Sequence, residues 1–87
     1  MSTQTEERVR STIQESFRQI APEVDLEEVE PGSDLQEQVD LDSVDLLNLV
    51  VLLHQKLDVE IPESDYEKLS TLDGMVRYLT DRVDGEA

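Results

Sequence analysis

The chain has 87 residues, enough for one small domain spanning 1–87, whose core is marginal unless it is compact and largely helical. Seven Lys+Arg stand against 22 Asp+Glu, a formal net charge of −15. That balance argues against binding nucleic acid or an anionic membrane surface, both of which need Lys and Arg, and it predicts protein partners with basic patches.

The chain contains no cysteine, which excludes disulfides, thiolate catalysis and cysteine-based zinc sites. Met1-Ser2-Thr3-Gln4 offers neither the basic nor the apolar stretch of a signal peptide. The longest nearly apolar run, Leu46 to Leu53, is too short to span a bilayer. The expectation is a soluble, cytoplasmic protein. Only Phe17, Tyr66 and Tyr78 are aromatic, so the core must be aliphatic.

In chain order, Val9, Ile13, Phe17 and Ile20 recur at intervals of four, four and three, which predicts a helix over Thr3 to Ala21 with one apolar stripe. Thr3 with Glu6 fits a capping box, and Pro22 discourages continuation. Pro22 to Asp42 reads as a long loop, with a short helical turn near Leu35 to Gln38. Its scattered Val24, Leu26, Val29, Leu35, Val39 and Leu41 are placed to pin it onto a core. From Glu23 to Asp45 there are ten acidic residues and no basic one.

Ser43 to Leu57 carries the strongest helical pattern, with Asp42 as N-cap and Asp45 where a capping-box acid belongs. Leu46, Leu49, Val50, Leu53 and Leu57 form one apolar face. Val44, Leu47 and Val51 form a second on the opposite side. A helix apolar on both sides is either central in the fold or keeps one face for a partner. Asp58 to Pro62 reads as an extended loop. Ser64 to Leu69 reads as a short helix with a Ser64/Glu67 capping box. Ser70 or Thr71 caps a last helix striped by Leu72, Met75, Val76, Leu79 and Val83, with residues 84–87 expected to fray. The sum is an all-α fold: a small four-helix bundle of three long helices and one short, with a long loop between the first and second.

Few residues offer chemistry. His54 is the sole histidine, no Ser–His–Asp arrangement stands above chance, and the three glycines are too dispersed for a phosphate loop. Counted as a calcium loop from Asp40, position 5 is Val44, position 6 Asp45 and position 12 Val51, so the EF-hand pattern fails and no metal site is predicted. One residue stands out. Ser43, between Asp42 and Asp45, opens the strongest helix directly after the long loop. A serine there is common as a plain helix-start residue. It is also exposed at the positive end of a helix dipole, where a phosphodiester on its oxygen would meet free backbone N–H groups.

Asp42-Ser43-Val44-Asp45, the apolar helix to Leu57, Asp58-Val59-Glu60-Ile61-Pro62 and Tyr66-Glu67-Lys68-Leu69-Ser70-Thr71-Leu72 together resemble an acyl carrier protein. The resemblance covers roughly Leu35 to Leu79. It implies a protein that is not an enzyme, with 4′-phosphopantetheine transferred from coenzyme A to Ser43 by a separate phosphopantetheinyl transferase. The terminal thiol of that arm would hold acyl groups as thioesters, which explains thiol chemistry in a chain without cysteine. Asp42 and Asp45 match the family's acids around the modified serine, and Val44, Leu47 and Val51 match its exposed apolar docking positions. Acyl-loading and acyl-processing enzymes with basic docking patches are the implied partners, and a monomer is the expected state. The chain departs from the family in Val44, where Leu is usual, and in the missing Gly before the Asp-Ser pair. Asn48, His54, Gln55 and Lys56 stand where fatty-acid-synthesis members carry acids. Fatty-acid, specialised-lipid and polyketide-type pathways all stay open. The rival reading is an acidic helical interaction module that is never modified.

Overall fold

The computed structural model describes residues 3–39 and 41–85. Four α-helices and one 3₁₀ helix follow one another: α1 (Thr3–Ile20), α2 (Leu35–Gln38), α3 (Ser43–Leu57), the 3₁₀ helix (Glu63–Leu69) and α4 (Leu72–Gly85). There is no strand among the described residues; Asp34 and Thr71 form an isolated antiparallel bridge. Helix α1 packs against both α3 and α4, and the 3₁₀ helix packs against α4.

The core is aliphatic apart from Phe17. Val9, Ile13 and Phe17 of α1 meet Leu49, Val50, Leu53 and Leu57 of α3 and Leu72, Met75, Val76 and Leu79 of α4 in one buried cluster. Burial at about 25 cal/mol per Å² of apolar surface is what stabilises these helices, since their propensities alone are weak. Two buried polar residues sit among them. Ser16 satisfies its hydroxyl by donating to the Thr12 carbonyl at 2.8 Å, whereas Thr80 Oγ1 has no partner among the described residues.

The long loop is fastened at several points. Val29, Leu35 and Leu41 are buried, and Val24, Leu26 and Val39 pack partly onto the core. Gln38 ties the loop to itself: its Nε2 donates to the carbonyls of Glu30 (2.9 Å) and Ser33 (3.1 Å), and its Oε1 accepts the Glu30 N–H. Two backbone bonds then fix the loop to the start of α4, Leu35 N–H to Ser70 O at 2.7 Å and Asp73 N–H to Pro31 O at 2.9 Å. The expected turn near Leu35 is present, capped by Asp34, which accepts the Gln36 N–H.

Several terminal assignments differ from the sequence expectation. The segment after Pro62 is a 3₁₀ helix that begins at Glu63 with no side-chain cap, so the Ser64/Glu67 box does not form. The tighter i→i+3 bonding, seen in Asp65 N–H to Pro62 O at 2.9 Å, replaces cap geometry. Of the two caps expected for α4, Ser70 or Thr71, it is Thr71 that forms, its Oγ1 accepting the Gly74 N–H at 3.0 Å. At Gly74 a Cβ would lie 2.6 Å from the Lys68 carbonyl oxygen, so this close approach of the two helices requires glycine. Helix α4 runs on to Gly85, and Thr5 Oγ1 donates to Asp84 at 2.9 Å. The Thr3 side chain, on which the expected cap depends, and the tail residues Glu86 and Ala87 lie outside what the structure describes.

Candidate functional site

Ser43 is the first residue of α3, and its position is set from both sides. Upstream, Leu41 is buried in the core, which pins the loop two residues before the serine. Downstream, four buried residues of α3 fix the helix axis. Between them Asp42, in extended conformation (φ −91°, ψ −179°), is the N-cap: its side chain accepts the Asp45 N–H at 2.8 Å, and its carbonyl accepts the Leu46 N–H at 3.0 Å. The cap is therefore Asp42 alone.

Ser43 itself is exposed, and no described residue hydrogen-bonds its hydroxyl. The N–H groups of Ser43 and Val44 likewise have no partner among the described residues, as the first turn of a helix dictates. An exposed nucleophilic oxygen thus stands beside two free donors at the positive end of a 15-residue helix. This donor set fits a phosphodiester on Ser43 Oγ.

Val44, Leu47 and Val51 are 64%, 48% and 43% exposed, while Leu49, Val50, Leu53 and Leu57 are buried. The two apolar faces read from the helical period are separated in that sense, with Leu46 half-buried at their border. Asp42 is exposed and Asp45 half-buried, at the Ser43 end of the exposed stripe. Among the described residues no group of three or more His, Asp or Glu side chains is arranged to hold a metal. His54 is occupied structurally. Its Nδ1 donates to the Val59 carbonyl at 2.6 Å, just beyond the αL residue Asp58 (φ 55°) that ends α3.

Two residues beside the site escaped sequence reasoning. Ile20, assigned to the core stripe of α1, is only half-buried, and Leu52, assigned to neither face, lies next to it in a groove between α1 and α3. The interruption of the α3 pattern by a third apolar direction at Leu52 was the one available signal.

Residues 11–79 match the family model described as a phosphopantetheine attachment site. The chain is 39% identical over 56 residues to an acyl carrier protein of Helicobacter hepaticus, an alignment covering 64% of this chain and 74% of that one. It is 43% identical over 56 residues to an acyl carrier protein of Campylobacter lari, covering 64% of this chain and 73% of that one.

Proposed function

The chain belongs to the acyl carrier protein family, and on that premise we propose that Ser43 is the attachment site and that the protein presents acyl thioesters to partner enzymes of fatty-acid, specialised-lipid or polyketide-type synthesis. Members of this family are carriers rather than enzymes, and their cofactor is a covalently attached 4′-phosphopantetheine. That group supplies the thiol that this cysteine-free chain lacks.

The observation that carries the proposal is the exposed, unshared Ser43 hydroxyl beside the free N–H groups of α3. In the modification reaction Ser43 Oγ gives up its proton to a base of the transferase and attacks the pantetheine-bearing phosphorus of coenzyme A; the pyrophosphate P–O bond breaks, 3′,5′-ADP leaves, and a phosphodiester joins Ser43 to phosphopantetheine. The N–H groups of Ser43 and Val44 and the helix dipole favour the negative charge so created, by about 0.3–1 kcal/mol at an exposed helix end. Asp42 and Asp45 give this end a negative potential that attracts a basic transferase, and Val44, Leu47 and Val51 supply apolar contact. Acyl-processing enzymes with basic patches dock on the same face, and the tether raises the effective concentration of substrate at each. The proposed setting is cytoplasmic and the proposed state monomeric. No helix among the described residues is long and apolar enough to cross a membrane.

The test is intact-mass measurement of the purified chain incubated with coenzyme A and a broad-specificity phosphopantetheinyl transferase, followed by fragment mapping. One phosphopantetheine on the fragment holding Ser43 is expected. An unchanged mass would overturn the proposal and return the chain to the reading of an unmodified interaction module.

A further inference from the structure

The two shortest elements are held by few buried side chains. Helix α2 buries only Leu35 and the 3₁₀ helix only Leu69, against four residues in α3 and five in α4. The chief neighbour of the 3₁₀ helix is α4, while α1 packs on both α3 and α4. A frame of three long helices thus carries a cover made of the loop around α2 and the 3₁₀ helix. Segments with few buried anchors open at lower free energy than the rest of a folded domain.

The two parts of the cover are joined to each other. Leu35 N–H donates to Ser70 O at 2.7 Å, and Ser70, the C-cap of the 3₁₀ helix, donates its own N–H to Glu67 O at 3.3 Å. Asp34 and Thr71 form the antiparallel bridge beside them, and the Pro31 carbonyl accepts the Asp73 N–H at 2.9 Å. If the 3₁₀ helix swings out, Ser70 carries away the partner of the Leu35 N–H.

One side-chain cluster fastens the cover to the frame. Asp65 of the 3₁₀ helix, with its side chain only 15% exposed, accepts from the Tyr78 hydroxyl at 2.6 Å and from Arg82 at 3.0 Å, both on α4. The Lys68 ammonium and the Arg82 guanidinium lie over the Tyr78 ring, 5.9 and 5.1 Å from its centroid. On the loop side, the side-chain bonds of Glu30, Ser33, Gln36 and Gln38 all end within the loop itself.

We infer that residues 31–39 and 63–70 open as one unit while α1, α3 and α4 stay packed, and that the Asp65–Tyr78–Arg82 cluster is the catch that holds this unit shut. Leu41 is buried between the unit and Ser43, so the start of α3 is not part of it. Opening bares core side chains that Leu35 and Leu69 otherwise help to enclose. The device stands independently of attachment at Ser43.

Amide-resolved hydrogen exchange across a denaturant series tests it, on the parent, on Tyr78→Phe and, as a control in the frame, on Glu6→Gln, which removes the exposed pair with Arg10. The N–H groups of Leu35, Val39 and Asp73 report the loop part, and those of Asp65 and Ser70 the 3₁₀ part. In the parent these five should share one opening free energy and one denaturant dependence, both below those of Ile13 and Leu53. Tyr78→Phe keeps the ring and loses the hydroxyl. It should speed exchange at all five by a common factor of about ten, as loss of a hydrogen bond to a charged group does. Glu6→Gln should leave the five at the parent's rates, because α1 is packed in both states. Loop amides that keep the parent's rates in Tyr78→Phe would overturn the shared unit, and an unchanged rate at all five would overturn the catch. Five amides that exchange only together with Ile13 and Leu53 would show that the cover has no opening of its own.

Discussion

The Asp42 carboxylate accepts the Asp45 backbone N–H at 2.8 Å, so one acid closes the first turn of α3 immediately before Ser43 and leaves the serine hydroxyl free of any capping duty. Asp42 then has two separable roles, a cap and a charge. Asn is as good an N-cap as Asp. Asp42→Asn should therefore hold stability within a few tenths of a kcal/mol, whereas Asp42→Ala should cost about 1 kcal/mol. Both should slow transfer from coenzyme A, because both remove the charge that steers a basic partner. Denaturant melts beside transferase kinetics separate the two roles; an Asn variant that reacts at the parent's rate would leave Asp42 as a cap only.

Val51 and Leu53 are two residues apart on α3 and opposite in environment, 43% and 0% exposed. Leu53→Ala should destabilise by about 2–5 kcal/mol, as truncations in a packed core do. Val51→Ser should change stability by about 0.5 kcal/mol or less, as exposed substitutions do, and should instead weaken partner encounter. Equal destabilisation by the two, with no separate kinetic defect, would place the outer stripe in the core.

Asp65 joins the 3₁₀ helix to α4. It accepts from the Tyr78 hydroxyl at 2.6 Å and from Arg82 at 3.0 Å, with Lys68 at 3.5 Å. The Tyr78 hydrogen bond, with help from Lys68 and Arg82, holds the Asp65 carboxyl below its usual 3.8. Burial, then the bond to Asp65, pushes the Tyr78 hydroxyl above its usual 10.0. The carboxylate contribution is complete above the ordinary Asp range and is lost as pH falls through the lowered value. The tyrosine contribution is complete below the ordinary Tyr range and is lost as pH rises through the raised one. The melting-temperature gap between the parent and Tyr78→Phe should therefore be flat from about pH 5 to 9 and narrow at both extremes. A gap independent of pH would mean the hydroxyl contributes nothing to the link.

The described acids between Glu23 and Asp45 are exposed or half-buried, and the four ion pairs of the described residues all fall outside this stretch. Screening weakens those exposed pairs, each worth about 0–1 kcal/mol, but relieves repulsion among ten uncompensated acids. Repulsion should dominate at a net charge of −15. The melting temperature should rise between low and moderate salt; a flat or falling curve would show that the loop acids are too far apart to interact.

The helices and their buried faces were legible because period alone carries them: Leu49, Val50, Leu53 and Leu57 repeat at helical spacing, and Val44, Leu47 and Val51 fall opposite. The loop anchors were legible as isolated aliphatics in a polar stretch. The Asp42 cap of α3 was legible too, but the choice between Ser70 and Thr71 at the start of α4 was not. Ser70 looked as suitable as Thr71, but its carbonyl is taken by Leu35 N–H and its own N–H by Glu67 O, partners that only the folded chain supplies. The tie between α1 and the end of α4 was hidden for the same reason, since Thr5, 79 residues away, meets Asp84. The α1–α3 groove was equally hidden: Ile20 and Leu52 acquire a shared surface only when the two helices pack. Ser43 was legible as a helix start, and its chemical meaning came from the motif around it.

The central claim is attachment at Ser43, and the most direct measurement is intact mass of parent and Ser43→Ala after incubation with coenzyme A and transferase, each with a thermal melt. Because Asp42 supplies the cap, the substitution should shift stability by about 0.5 kcal/mol or less, so a folded Ala variant is available for comparison. The account predicts one phosphopantetheine on the parent and none on Ser43→Ala at matched melting temperatures. A folded Ser43→Ala that still gains the group, or a parent that never does, would contradict it.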